Sequence, residues 1–72
     1  MSKMLIEVKE SGEEIELMDG SRWAINPSDI PTVCTWIPTA EIKIKLIDKS
    51  SLYPYEIINM NIDVSVRAMK LT

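Results

Sequence analysis

Seventy-two residues with one cysteine, no histidine and a net charge of −3 leave few chemistries open. No intramolecular disulfide can form, a structural zinc site lacks its Cys and His ligands, and the Ser-His-Asp and Cys-His catalytic designs lack their base. A single domain over residues 1–72 must therefore hold together by apolar burial, near the lower size limit for doing so, with 46% hydrophobic residues.

The charge is uneven. Residues 1–20 carry −4 and residues 21–72 carry +1. An acidic front end disfavours phosphate backbones, so nucleic acid is not the expected partner. The acids read as a solvated hairpin tip, or as a repulsive edge against strand-to-strand aggregation. No apolar stretch nears the ~20 residues of a membrane span, so no membrane contact is expected. Met1-Ser2-Lys3-Met4-Leu5-Ile6-Glu7 has no signal-peptide core or cleavage site. The expected location is the cytoplasm, and a leader removed upstream would leave no mark on this chain.

Alternation of apolar and polar residues runs through most of the chain and predicts strands, each with one oily and one wet face. Residues 4–9 predict the first, with Met4, Ile6 and Val8 inward. A turn at Glu10-Ser11-Gly12-Glu13 leads to a second over 14–18, with Ile15 and Leu17 inward. Asp19-Gly20 suits a type I′ hairpin turn and feeds a third strand over 21–25, with Trp23 and Ile25 inward. The alternation then stops. Residues 26–36 read as a loop with one short helical turn near 29–36, N-capped by Asp29 and ended by Pro38. Residues 40–47 predict a fourth strand, with Ile42, Ile44 and Leu46 inward and Lys43 and Lys45 outward. Residues 53–58 predict a fifth that carries Pro54, which belongs at a strand start or on an edge. After Asn59-Met60-Asn61 a last strand covers 62–71, with a bulge expected near 68–69.

Short strands with one apolar face each are satisfied by curling the sheet until those faces meet. The expected fold is all-β, a small SH3-like barrel of five to six antiparallel strands, with an OB-like barrel as the alternative.

No constellation of catalytic groups emerges. Glu14 and Glu16 share the wet face of a strand, and Cys34 has no neighbouring base. Gly12 and Gly20 alone cannot build a phosphate loop. The chain is expected to be non-enzymatic and to need no cofactor or metal. Tyr and Trp favour binding surfaces, so Trp36, Tyr53 and Tyr55 are the candidate partner-binding residues, for a protein or peptide. If the Tyr53-Pro54-Tyr55 segment is an edge, weak homo-oligomerisation can run through it. The alternative is a nucleic-acid face built from Lys43, Lys45 and Lys49, extended by Arg67 and Lys70.

Leu17-Met18-Asp19-Gly20-Ser21-Arg22-Trp23-Ala24-Ile25, then Asp29, then Trp36-Ile37-Pro38 and Glu41-Ile42-Lys43-Ile44 form a set. Over residues 17–71 this set resembles a group of small bacterial proteins with the pattern DGS-x-W, Asp, W-x-P-G-D and an alternating strand. Asn59 or Asn61 fits the Asn-containing turn before that group's final strand. The chain departs from the pattern after Pro38, where Thr39-Ala40-Glu41 replaces Gly-Asp. The resemblance implies an SH3-like barrel and carries over no catalytic residue.

Overall fold

Two antiparallel meanders supply the walls. β1 (Lys3–Val8), β2 (Glu14–Leu17) and β3 (Arg22–Ile25) make the first; β4 (Glu41–Leu46), β5 (Tyr55–Asn59) and β6 (Val64–Lys70) make the second. β3 pairs with β6 and β1 with β4, which closes a six-stranded barrel in the order β1-β2-β3-β6-β5-β4. The all-β barrel expected from the alternation is therefore present. The computed structural model describes residues 3–72. Met1 and Ser2, which open the segment read above for a leader, lie outside the described residues.

The inward phase follows the alternation over most of the wall. Ile15, Leu17, Trp23, Ile25, Ile42, Ile57, Val66 and Ala68 are buried, and Leu5, Val33, Trp36 and Ala40 join them. β1 differs from the expected phase: Leu5 is buried, while Met4 and Ile6 face out. The register explains it. Leu5 lies opposite Leu17 but Glu7 lies opposite Glu16, so one extra residue is bulged into β1 at Ile6. The bulge lets Leu5 and Val8, three apart, share the inner face.

β4 also departs from expectation. Ile42 is fully buried, Ile44 half-buried and Leu46 48% exposed. Among the described residues only Glu41 and Ile42 of β4 pair with β1, so the far half of β4 runs past the core. The bulge expected near 68–69 is absent. β6 keeps unbroken register with β3 and β5, placing Ala68 opposite both Ile25 and Tyr55. Pro54 stands just ahead of β5, and β5 pairs on both sides, so the Tyr53-Pro54-Tyr55 segment does not form an edge strand.

The turns decide how the walls meet. Met18-Asp19-Gly20 forms a three-residue loop rather than a type I′ turn. The Gly20 amide donates to the Leu17 carbonyl at 2.9 Å, and the Leu17 amide donates to Ser21 at 3.0 Å. Within that loop only Gly20 takes a positive φ, at 87°. The connection from β3 to β4 holds a 3-10 turn over Pro27–Asp29 and then α1 (Ile30–Val33). Asn26, not Asp29, caps it, accepting from the Ser28 amide at 3.3 Å. The Asp29 carboxylate instead accepts the Arg67 amide at 2.9 Å, which ties the connection to β6.

The connection ends in a tight turn. The Ala40 amide donates to the Ile37 carbonyl at 3.4 Å across Pro38 and Thr39, and Thr39 has φ of 74°. Proline followed by a positive φ is the arrangement of a type II turn, whose third position normally requires Gly or Asn. Here Thr39 holds that third position and takes the positive φ. A β-branched residue bears it at a cost of roughly 1–2 kcal/mol.

At the other end of β1, Gly12 (φ of 77°) brings the β1–β2 loop down onto α1. A Cβ at Gly12 would lie 2.5 Å from Cys34 Sγ and 2.9 Å from Ile30 Cγ2. Strained backbone and overpacking together predict that Gly12→Ala destabilises the protein by roughly 2–4 kcal/mol in denaturant unfolding. Cys34→Ala in the same chain should return part of that loss. An undiminished stability of Gly12→Ala would show that the loop does not seat on α1.

Candidate interaction groove

Barrel closure sets outward residues of β1 beside outward residues of its neighbours. Met4 lies opposite Glu41 across the β1–β4 pair, and its carbonyl accepts the Met18 amide at 2.8 Å on the other side. The Met60 amide donates to the Glu41 carbonyl at 2.8 Å, and the Asn61 side chain accepts the Glu41 amide at 3.3 Å. Methionines thus flank Glu41 on either hand. Met4 is 38%, Met18 60% and Met60 47% exposed.

A groove of about 730 Å³ opens here. Met4, Met18 and Thr39 supply apolar surface, and Lys3, Asp19, Glu41 and Asn61 supply polar groups. The volume and the lining suit a binding site: mostly apolar walls with a few polar groups to fix orientation. Methionine is flexible and polarisable, so such walls repack around different occupants.

A hydrogen-bonded chain links the groove's rim to the core. The Trp23 indole N–H donates to Ser21 Oγ at 2.9 Å, and the Ser21 hydroxyl donates to Asp19 at 2.6 Å. The Ser21 amide donates to the same Asp19 oxygen at 3.0 Å, and the Lys3 ammonium donates to the other at 2.5 Å. Lys3, then the Ser21 hydroxyl and amide, hold the Asp19 carboxyl well below the usual carboxylate range. The charges of Lys3 and Asp19 are thus spent on each other. Among the described residues Glu41 has no ion-pair partner.

The residues singled out from the sequence lie elsewhere. Trp36 is 5% exposed and belongs to the core cluster, and its indole N–H has no acceptor among the described residues. It lines a smaller cleft of about 270 Å³ together with Cys34, the β1 residues Glu7 and Val8, and Lys9 just after β1. Tyr55 is half-buried and meets Trp23 edge-on, with ring centroids 5.0 Å apart. Tyr53 is also half-buried, and its carbonyl accepts from Arg67 Nε at 3.0 Å. Lys43 and Lys45 project together from β4 and Lys49 from the following loop, all exposed. Glu56 lies opposite Lys45 and also opposite Arg67, so an acid interrupts this basic row. Lys70 reaches over the Trp23 ring at 5.8 Å. Sequence reasoning missed Met4, Met18, Thr39, Glu41 and Asn61 as a site. The available signal was five methionines beside no phenylalanine.

Among the described residues no group of three His, Cys, Asp or Glu could hold a metal ion, and no helix is long and apolar enough to cross a membrane. Comparison with family models, with curated proteins and with solved structures gave no match.

The lowered Asp19 pKa has a sign that can be tested. A carboxyl depressed in the folded state stabilises fully above its unfolded value of about 4, and that contribution drains away as the pH falls further. Wild type should therefore melt above Asp19→Asn at neutral pH, and the gap should narrow below about pH 4. A gap that stays constant down to about pH 2 would contradict the Lys3-Asp19-Ser21 arrangement.

Proposed function

We propose that this protein is a non-enzymatic interaction module that receives a peptide segment of a protein partner in the methionine-walled groove. The carrying observation is the meeting of Met4, on β1, and Met18, in the β2–β3 loop, as exposed side chains at one groove of about 730 Å³; other large apolar residues are exposed as well, Ile37 and Leu52 the most, but they do not line this groove. Keeping large apolar side chains in water at a concave site is the mark of a surface awaiting a partner. A catalytic reading finds no support there: among the described residues the groove's carboxylates are Asp19, bound to Lys3 and Ser21, and Glu41.

The nucleic-acid reading is weaker. Phosphate binding draws on clustered cations, and here Glu56 sits within the Lys45 row while Arg67 is bonded to the Tyr53 carbonyl.

Panning a phage-displayed library of random peptides tests the proposal. Binders enriched on the wild type should lose at least about tenfold in affinity for Met18→Glu, which places a charge in the apolar wall. Their amide shift changes should centre on Met4, Met18, Thr39 and Asn61. No enrichment, or binders indifferent to Met18→Glu, would overturn it.

A further inference from the structure

We propose that the groove selects a peptide in which a lysine or arginine lies close to a large apolar side chain, the cation meeting Glu41 and the apolar group packing on Met4 and Met18. This rests on the groove reading and adds to it the chemistry of the partner.

Among the described residues three charged groups line the groove, and two of them satisfy each other. Lys3 and Asp19 form a hydrogen-bonded ion pair, and Asp19 is further held by Ser21. Glu41 is exposed and has no ion-pair partner among the described residues. The groove therefore presents a net negative charge at one place on its wall. Neighbouring backbone holds that place still: Glu41 bonds Met60 and Asn61 through its main chain, and Met4 lies opposite it across the strand pair. An anion carried on a held stretch of backbone beside apolar surface complements a long basic side chain, whose methylenes lie on the methionines while its head reaches the carboxylate. An acidic peptide would meet Glu41 with like charge and be rejected, which gives the site its selectivity.

The same library selection distinguishes this from the groove reading itself. Enriched peptides should carry Lys or Arg one or two positions from Leu, Ile, Met or an aromatic residue. Synthetic copies should lose about five- to tenfold in affinity for Glu41→Lys, and their binding to the wild type should weaken as salt rises. Replacing the peptide's basic residue with Glu should restore binding to Glu41→Lys. Peptides that depend on Met18 but carry no basic residue and ignore Glu41→Lys would overturn this inference and leave the groove standing. No enrichment, or binders indifferent to Met18→Glu, would overturn both.

Discussion

The barrel depends on one closure. The Leu5 amide donates to the Ala40 carbonyl at 2.9 Å, and the Thr39 amide donates to the Leu5 carbonyl at 2.7 Å. These bonds join the first meander to the second where a 15-residue connection has just ended in a tight turn, and Thr39 within that turn takes a positive φ. A small core has little stability to spare, so a strained turn at this point must be offset by what closure brings. Closure seals Leu5 against Leu17 and Ile42, all fully buried, and covers the β1 and β4 edges where Lys3 to Leu5 meet Thr39 to Ile42, leaving the far half of β4 without a β1 partner.

The groove is a consequence of that closure. Joining β1 to β4 in this register sets Met4 opposite Glu41, and the β2–β3 loop delivers Met18 and Asp19 to the same place. Thr39 belongs to both structures, as the turn that permits closure and as a wall of the groove. Backbone strain kept at a site is commonly tied to what the site does. Here the strained residue also supplies a branched side chain beside the methionines, where glycine would supply none. The Trp23-Ser21-Asp19-Lys3 chain then ties the rim to the core.

How much of this was legible in the sequence depended on distance along the chain. Local signals carried β2, β3 and the places of both early turns, though not the type of the second, because the alternation of Ile15 and Leu17 or Trp23 and Ile25 admits only one phase. Met4-Leu5-Ile6 is an unbroken apolar run that admits two phases, and only the partner strand and the bulge decide between them. Leu46 reads as inward from its own strand, yet burial also needs a neighbour on the far side, which sequence alternation does not report. The turn after Pro38 was marked by its departure from a Gly-Asp pattern, but a threonine does not announce a positive φ. The groove was least legible, since Met4, Met18, Thr39 and Asn61 meet only through the closing register. Trp36, Tyr53 and Tyr55 drew notice by residue type, and the fold uses Trp36 and Tyr55 around its core.

The central claim is that the barrel is closed through a strained turn at Thr39. Equilibrium denaturation of Thr39→Gly tests it most directly, because glycine relieves a positive φ but weakens ordinary backbone. The account predicts a gain of about 1 kcal/mol over the wild type, after the greater flexibility of glycine in the unfolded chain is allowed for. A loss of about 0.5–1 kcal/mol, the usual effect of glycine where φ is negative, would contradict it.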